Sequence, residues 1–449
     1  MRSARARLAV AGTALTFAAF GTVFDVAAAD VNTWEPAQVV PHSTNAKTPA
    51  LFSTQHGRAV VVYHADRAVW GSSLPPGAEK SWTRPSELRV PRTSAVGPVA
   101  TGSAGGATVF LGGAYTRMTP TGTWGAVRAF PYDRLHLSKA LVRPGSGLVA
   151  AGTTFRPVKT AVKPPGRHWM LSPALSLGYT LVRGLWYDPH GRVHVLVTQD
   201  QHLDTSPTPQ NQKAGSPRPI GLYQALLHQR NGALSWGPLR QWRTGSVGSL
   251  YDWAGLGFAT SLLSTADGAI TVLWHEYDAT RDGLVLLMRH RDAAGSWSHV
   301  RRMPVNNFSQ VMSSLDNVGT TRLSYLRHVS GSANWQLVTR QLSADGTLSD
   351  PVQVDGPLPI TGFRLDGVSA PGGGATLLRW YADTGAVPVQ ERLYRCLPAS
   401  GCTSVGTQNA RGGEVGMAVT PNGAALLAGV DAVKGCPASR LCSRRLPAP

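Results

Sequence analysis

The sequence predicts an all-β protein made of one repeated four-stranded unit, and three observations indicate this. A block of two apolar stretches joined by a turn, usually with glycine, recurs eight times along the 449 residues. Its period of roughly 40–65 residues is typical of radially repeated β units. Long helical periodicity of apolar residues is absent. The two ends of the chain also carry fragments that complete one another, which indicates a closed arrangement of the units.

The most regular part of each unit is the stretch after the turn, which we interpret as its second strand. Val, Leu, Thr, Tyr and Trp dominate this stretch, and these residues are typical of buried strands. Turns such as QHGR, PHGR and ADGA precede most copies, and glycine at this offset favours strands over helix fragments. The eight second strands are predicted at 59–66, 107–115, 147–155, 193–200, 270–278, 322–329, 375–383 and 424–431.

The remaining strands flank this core, most clearly in the copy SLLSTADGAITVLWHEYD, GLVLLMRHRD, SWSHVRRMP. The first strand precedes the turn and the third follows the core. The fourth often begins with Trp or with Ser-Asp-Pro, as in SWTRPSELRV and LSDPVQV. The third copy is degenerate, because HWMLSPALSL stands where a regular fourth strand is expected.

The chain ends predict how the repeat closes. The last copy stops at RLCSRRLPAP without a fourth strand, whereas residues 33–40, TWEPAQVV, resemble a fourth strand with no unit before it. Joining them would complete the last unit and remove an open sheet edge. We therefore predict a single β-propeller domain over residues 30–449, with eight four-stranded blades closed by the N-terminal strand. Seven blades is the alternative, if the third or eighth copy is not a blade.

Residues 1–29 are predicted to be a secretory signal peptide. Arg2, Arg5 and Arg7 precede an apolar stretch at 8–24, and three alanines at 27–29 form a cleavage site before Asp30. An uncleaved anchor is the alternative, although this apolar stretch is short for a membrane span. We expect a secreted protein with no stable membrane insertion after cleavage.

The charge balance is compatible with an anionic partner. The chain has 43 Lys and Arg against 25 Asp and Glu, a formal net charge of +18. These charges are scattered rather than gathered in a stripe with a recognisable motif, so we expect no nucleic-acid binding. Diffuse positive charge attracts acidic partners such as an anionic polysaccharide or cell-wall polymer. The alternative is that the charge reflects composition alone.

Four cysteines in an exported chain predict two disulfides. They form two C-x5-C pairs near the C-terminus, Cys396 with Cys402 and Cys436 with Cys442. Local pairing is our prediction among the three connectivities that four cysteines allow. The spacing does not suggest a zinc site.

Candidate binding residues are expected on one face of the ring, where loops between second and third strands and between blades emerge. Two long irregular segments, 199–220 and 243–257, belong to this face, and long loops are often functional or disordered. Polar and aromatic groups also follow the second strands, and such a ring could bind a sugar or a cation. The alternative is that they make local turns. The candidates are His64, Asp200, His202, Asp252, Trp253, Tyr381 and Asp383.

The sharpest cluster of reactive groups is WHEYDATRD at 274–282. His275 could act as a general base and Glu276 as an acid or nucleophile. Because successive strand residues face opposite sides, both can serve one site only if the strand ends before them. Tyr251 and Arg327 complete the catalytic candidates. We expect no cofactor; Asp278 and Asp282 could bind Ca²⁺, without a supporting motif, and the metal requirement is left open.

The repeat resembles secreted bacterial propellers of the sialidase-like class, which carry Asp-box turns of the form S-x-D-x-G-x-x-W. The segments DAAGSW at 292–297, RNGALSW at 230–236 and PTGTW at 120–124 resemble that turn. This resemblance implies glycoside hydrolysis with a Tyr–Glu nucleophilic pair, for which Tyr251 and Glu276 are the candidates. Other secreted propellers resemble polysaccharide lyases, which implies proton abstraction by His275 or Tyr251 beside Arg327.

No complete catalytic constellation stands out, so the function we expect is extracellular binding or scaffolding, with a glycan or cell-wall polymer as ligand. The alternative is a carbohydrate-active enzyme, either a sialidase-like hydrolase or a polysaccharide lyase, acting on an anionic glycan. Whether the protein is an enzyme is left open.

Overall fold

The structure is a computed structural model, and it describes residues 33–449 except for a set of short segments. These segments are 78–80, 91–94, 133, 144–146, 155–156, 176, 178, 189, 201–217, 248–260, 266–267, 279–282, 306–307, 316–319, 360–361, 372, 384–389, 399, 410–414, 431–432 and 434. Within the described residues the chain forms 33 strands and no helix.

The first four blades follow one another along the chain. Blade 1 contains β2 Lys47–Ser53, β3 Ala59–Ala65, β4 Ala68–Leu74 and β5 Ser86–Leu88. Blade 2 contains β6 Val96–Thr101, β7 Ala107–Leu111, β8 Ala114–Met118 and β9 Arg128–Ala129. Blade 3 contains β10 His136–Arg143, β11 Gly147–Thr153, β12 Val158–Lys163 and β13 Met170–Leu171. Blade 4 contains β14 Tyr179–Tyr187, β15 Val193–Asp200 and β16 Arg218–Arg230, with β17 Ala233–Trp236 and β18 Arg240–Val247 as its outer strands.

The second half repeats the pattern and uses the N-terminal strand last. Blade 5 contains β19 Ser261–Ser264, β20 Ile270–Asp278, β21 Gly283–Arg291 and β22 Arg301–Arg302. Blade 6 contains β23 Phe308–Leu315, β24 Thr321–His328, β25 Asn334–Leu342 and β26 Val352–Pro359. Blade 7 contains β27 Gly362–Ser369, β28 Thr376–Asp383, β29 Gln390–Leu397 and β30 Gly401–Asn409. Blade 8 contains β31 Val415–Val419, β32 Ala425–Val430, β33 Arg440–Leu446 and β1 Gln38–Thr44.

The predicted eight-bladed propeller is therefore confirmed. First strands of neighbouring blades contact one another around the ring, including β31 of blade 8 with β2 of blade 1. This places the first strands nearest the axis and the fourth strands at the rim. The degenerate third copy is a complete blade whose outer strand, β13, is only two residues long.

Ring closure by the N-terminal strand is confirmed, although the strand lies further along the chain than predicted. Strand β1 covers Gln38–Thr44 rather than 33–40, and it pairs antiparallel with β33 through Gln38 with Ser443 and Val39 with Cys442. The segment before it continues the contact with one hydrogen bond from the Glu35 N–H to the Arg445 carbonyl, 2.8 Å long. Pro36 has no N–H to donate, which is a physical reason for the later start of the ladder.

The hydrophobic core is divided among the interfaces between blades. Phe110 and Phe130 of blade 2, for example, pack with Leu148 and Ala161 of blade 3. Strand residues alternate between the two sides of a sheet, so each blade presents one apolar row to each neighbour. This is why the second strands, with neighbours on both sides, are apolar at nearly every position.

The ring has two distinguishable faces, which we name by what emerges from them. The loop face carries the loops from second to third strands and the connections between blades. The turn face carries the turns from first to second and from third to fourth strands. The tight turns on this face need glycine: Gly105 has φ of +80°, and a Cβ there would lie 2.3 Å from Nδ1 of His56.

Both predicted disulfides are formed, Cys396–Cys402 in blade 7 and Cys436–Cys442 in blade 8. Cys396 and Cys402 are directly opposite one another on β29 and β30, so the bridge ties two adjacent strands. Among the residues described, no helix is long and apolar enough to cross a membrane.

Candidate functional site

The polar groups predicted on the loop face do follow the ends of second strands. Strands β15, β20, β24 and β28 end at Asp200, Asp278, His328 and Asp383. Their carboxyl ends all belong to the loop face, because each second strand runs from the turn face to the loop face. The sequence pattern therefore located the ends of these strands correctly.

Several candidates fall outside what the structure describes, so their roles stay predictions. His202, Tyr251, Asp252 and Trp253 lie outside the described residues. For another three candidates only the backbone is described, and they are Asp200, Glu276 and Asp383.

His275 is buried in the interface between blades 5 and 6. It is 5% exposed and lies two positions after Leu273, which packs in the cluster shared by these blades. Strand β20 continues to Asp278, so the condition under which His275 and Glu276 could serve one site, a strand ending before them, is not met.

His64 and Tyr381 are both half-buried at positions in two separate blades. His64 is opposite Lys47 on the first strand of blade 1, and Tyr381 is opposite Glu391 in blade 7. In the described part of the chain no hydrogen bond or ion pair joins either residue to Arg327. Their joint participation in one site stays a prediction.

Arg327 lies in a cleft of about 390 Å³ between blades 5 and 6. The cleft lies along the second and third strands of blade 6, and Pro304 and Val305, which follow the last strand of blade 5, also line it. It is lined by Pro304, Val305, Tyr325, Arg327, His328, Val329, Ser330, Gln336 and Arg340. Its volume is within the range of small-molecule sites, about 300–1,000 Å³.

Strand alternation explains why a guanidinium reaches this cleft. Leu323 and Tyr325 face blade 5 in the shared core, and Arg327 is the next residue in that row. The apolar row thus ends in a cation at the point where the interface opens to the loop face. On the adjacent strand β25, Gln336 is opposite Arg327 and Arg340 is opposite Leu323.

Both guanidinium groups are held by neutral partners. The Gln336 amide, oriented with its oxygen toward Arg327, accepts from Nε at 2.7 Å and from Nη2, and its nitrogen donates to Gln353 Oε1 at 3.0 Å. Arg340 donates from Nε to the Ser349 carbonyl at 2.6 Å and from Nη1 to the Pro304 carbonyl at 3.2 Å.

The cleft is electropositive. Among the described residues, no Asp or Glu lines it and neither arginine forms an ion pair with a carboxylate. Fixed guanidinium groups with neutral partners keep their full charge available to a ligand. A carboxylate, sulfate or phosphate is the complementary group.

Tyr325 forms the floor of the cleft and is almost fully buried, at 2% exposed. Burial raises the pKa of its phenol, although the charges of Arg340 and Arg327 and a hydrogen bond with Arg340 act in the opposite direction. The phenol therefore stays protonated near neutral pH, where it can support Arg340 but cannot serve as an anionic base.

His328 is the titratable group of the cleft that is nearest the loop face. Its ring lies edge-on against Trp335, with ring centroids 5.1 Å apart, and it is half-buried. Trp335 packs against the core shared by blades 6 and 7, so the imidazole lies on the opposite side of β24 from Arg327. His328 borders the cleft only because it is the last residue of the strand.

Sequence reasoning found Arg327 but missed Tyr325, Gln336 and Arg340. The spacing of Tyr325 and Arg327, two residues apart in RLSYLRHV, was a usable signal that they share a face. Gln336 and Arg340 gave no such signal, because only the register between β24 and β25 brings them alongside.

Metal binding finds no support in the part of the chain that the structure describes. No group of three or more His, Cys, Asp or Glu side chains there is arranged to hold a metal ion. The segment with Asp282 lies outside the described residues.

Comparison with known proteins shows only distant likeness. No protein-family model matches the chain, and no curated protein matches it. Among solved structures, a catalytically inactive virginiamycin B lyase from Staphylococcus aureus with quinupristin is 8% identical, over 78% of this chain and 94% of that chain, with a TM-score of 0.43. A polysaccharide lyase is 9% identical, over 92% of this chain and 99% of that chain, with a TM-score of 0.44. Likenesses this distant carry no inference about activity.

Proposed function

We propose that this protein is an extracellular binding protein that recognises a carboxylate-bearing saccharide in the cleft between blades 5 and 6. The observation that carries the proposal is the pair Arg327 and Arg340, which line a cleft of about 390 Å³ whose described lining residues include no Asp or Glu. A buried or half-buried cation without an acidic partner is stabilised when an anionic ligand supplies the missing charge.

The geometry favours a carboxylate among the anions. An arginine presents a planar fork of donors that matches the two oxygens of a carboxylate. Gln336 accepts from Nε and from one hydrogen of Nη2, which leaves the Nη1 hydrogens and the second Nη2 hydrogen of Arg327 as a fork for a ligand. Hydroxyl groups of a sugar would find Ser330 and the Gln336 amide along the same wall.

The chain-wide properties agree with this proposal. A net charge of +18 raises the local concentration of an acidic glycan around the protein. The predicted signal peptide at 1–29 would deliver the chain to the compartment where acidic polysaccharides and cell-wall polymers occur.

A lyase acting on the same ligand is the second candidate, and one observation favours it. His328 is among the residues that line the cleft, and removal of the proton next to a carboxylate needs a base together with a cation that stabilises the developing charge. Because His328 faces the opposite side of β24 from Arg327, this candidate requires a ligand that reaches round the end of the strand. Tyr325 does not supply the base, because its buried phenol stays protonated. Sialidase-like hydrolysis by Tyr251 and Glu276 remains a proposal of the sequence alone.

Calorimetric titration with trigalacturonate and with its methyl ester tests the binding proposal. We expect the acid to bind and the ester to bind far more weakly, since esterification removes the charge. Arg327→Gln should weaken binding of the acid by about tenfold to a hundredfold, the worth of a hydrogen bond to a charged group. Arg230→Gln, which removes an exposed arginine at the end of β16, serves as the matched control and should bind like the parent protein.

Equal affinity of the parent and the Arg327→Gln protein for trigalacturonate would overturn the proposed site. The same samples distinguish binding from turnover, because lyase cleavage creates an unsaturated sugar that absorbs ultraviolet light. Accumulation of that product, lost in His328→Ala, would establish the second candidate instead.

A further inference from the structure

A second electropositive feature lies at the rim between blades 2 and 3. It consists of Arg117 near the end of β8, Arg128 on β9 and Lys163 at the end of β12, and we call it the rim patch. Arg117 and Arg128 are exposed, and Lys163 is half-buried. Third strands run from the loop face to the turn face, so Arg117 and Lys163 lie toward the turn face, the side opposite the opening of the cleft. Arg128, opposite Tyr115 near the start of β8, lies on the rim nearer the loop face.

Register shows that the three cations face the same gap between blades. Arg128 is directly opposite Tyr115, which packs in the core shared by blades 2 and 3. Arg117 lies two positions after Tyr115 and therefore faces blade 3 as well. On blade 3, Ala161 packs in the same core, and Lys163 lies two positions after it, facing blade 2.

The charges of the rim patch are close enough to act on one another. The pKa of Lys163 is lowered, first by partial burial and then by the positive charges of Arg117 and Arg128. Both charges that act on Lys163 are thus of its own sign. The ammonium group is fixed by a hydrogen bond to the Arg167 carbonyl, 2.7 Å long. A polyanion is the ligand whose charge is complementary to these three groups.

An aromatic cluster beneath the rim patch holds it rigid. The indole of Trp169, from blade 3, lies edge-on against Phe130 and Tyr115 of blade 2, with ring centroids 5.1 Å and 5.5 Å apart. Tyr132 donates a hydrogen bond to the Trp169 carbonyl at 3.3 Å. These contacts hold blades 2 and 3 together beside the three cations. A ligand would therefore bind a surface that is already ordered.

We propose that the rim patch binds an acidic polysaccharide chain, as a second site that is independent of the cleft. Diagonal positions on adjacent strands are about 7–8 Å apart, so the arginines present separated charges rather than a dense row. Duplex DNA, by contrast, carries one charge per about 1.7 Å of its axis and is usually met by a longer array of cations. Two separate sites would let one molecule join two polysaccharide chains.

The test measures binding to immobilised polygalacturonate and heparin, which separate carboxylate from sulfate chemistry. The triple variant Arg117→Gln, Arg128→Gln, Lys163→Gln should bind one or both at least tenfold more weakly. Its affinity should also depend less steeply on salt, by up to about one unit of log–log slope for each cation removed. The matched control removes three exposed arginines elsewhere, Arg84→Gln, Arg89→Gln and Arg230→Gln, and should stay within twofold of the parent.

A bridging assay separates this proposal from the one for the cleft. Beads coated with polygalacturonate should be cross-linked by the parent protein but not by the triple variant. That variant should still bind trigalacturonate in solution, since the cleft is intact, whereas Arg327→Gln should retain binding to the immobilised polymer.

Three results would overturn the rim patch. Undiminished polymer binding by the triple variant would show that the patch is only a charged sheet edge, which natural proteins use against edge-to-edge association. An equal loss in the matched control would show that diffuse charge is responsible. Tighter binding to duplex DNA than to either polysaccharide at the same salt concentration would assign the surface to nucleic acid.

Discussion

The closing seam of blade 8 and the cleft between blades 5 and 6 use arginine in opposite ways. At the seam, Arg444 lies over the Trp34 ring and donates from Nε to the Glu35 carbonyl at 3.1 Å and from Nη2 to the Trp34 carbonyl at 3.3 Å. In the cleft, Arg327 and Arg340 also have neutral partners, but they border about 390 Å³ of open space.

Other polar groups of the seam are likewise used within the fold. The Trp34 indole donates to the Val405 carbonyl at 2.6 Å, and the Trp82 indole donates to Ser443 Oγ at 2.7 Å. The Tyr63 hydroxyl donates to the Pro41 carbonyl at 2.6 Å. Stability and recognition therefore depend on different parts of the ring, the seam of blade 8 and the cleft between blades 5 and 6. Changes at the seam should affect unfolding, and changes in the cleft should affect binding.

Deletion of residues 33–44 should have the largest effect on stability. It removes β1, exposes the edge of β33 and uncovers Val40 together with the contacts of Trp34. We expect the free energy of unfolding to fall by about 3–6 kcal/mol, the worth of two or three buried apolar side chains. Denaturant unfolding measures this, with a chain lacking only residues 1–32 as the control. An unchanged midpoint would contradict closure as a source of stability.

Loss of one disulfide should have the next largest effect. Cys396→Ser with Cys402→Ser, and Cys436→Ser with Cys442→Ser, each remove a bridge between residues six apart. For so short a loop the expected loss is about 2–3 kcal/mol in the loop-entropy model. Because Cys442 also pairs with Val39 across the seam, the second pair of substitutions should add less when β1 is already deleted. If the losses in unfolding free energy from the β1 deletion and from Cys436→Ser with Cys442→Ser were strictly additive, the disulfide and β1 would not be coupled.

Acid should destabilise the protein through a polar network in blade 4, with a smaller effect. The carboxylate of Asp188 accepts from Arg192 Nε at 2.6 Å and lies 3.2 Å from His194 Nε2, while Gln224 bonds His194 Nδ1 at 2.8 Å. Burial lowers the pKa of His194, and the charges of Arg291 and Arg192 lower it further, against the opposing effect of Asp188.

The direction of this pH dependence follows from the unfolded chain, where histidine has a pKa of about 6.5. Below that pH the unfolded state takes up a proton that folded His194 does not, so the free energy of unfolding should fall between pH 7 and pH 5. Burial alone would raise the pKa of Asp188, but hydrogen bonds from Arg192 and His194 lower it overall. Its contribution is therefore lost only at more acidic pH, below about 3.9.

Denaturant unfolding at several pH values checks this expectation. His194→Gln should flatten the dependence of the free energy of unfolding on pH between pH 7 and pH 5. A steeper loss of stability in His194→Gln than in the parent would show that other groups control the acid response.

Much of the architecture was predictable because its determinants are local or repeated. Alternating apolar residues and glycine turns recur in every blade, and two pairs of cysteines lie six residues apart, so each pattern can be recognised without knowing the fold. The first residue of β1 was not predictable from the sequence. It depends on where the chain after Pro36 begins to form backbone hydrogen bonds with β33.

The candidate site was predictable only in part. Arg327 was found because it follows an apolar strand at a recurring position, but the cations that accompany it are separated from it in sequence. The long irregular segments that the sequence predicts for the loop face lie largely outside the described residues, Tyr251 to Trp253 included, so their contribution stays a prediction.

The sequence by itself determined the number of blades, the closure of the ring and the pairing of the cysteines, since these follow from periodicity and from complementary chain ends. Only the tertiary structure decided which charged side chains meet. Alternation fixes the face of each residue within a strand, but strand register sets Arg327 beside Gln336, and blade docking brings Lys163 toward Arg117 and Arg128. A shift of one residue in either strand would turn these side chains to the opposite face, and the register is set by burial of the apolar rows and by the turns rather than by the polar residues themselves.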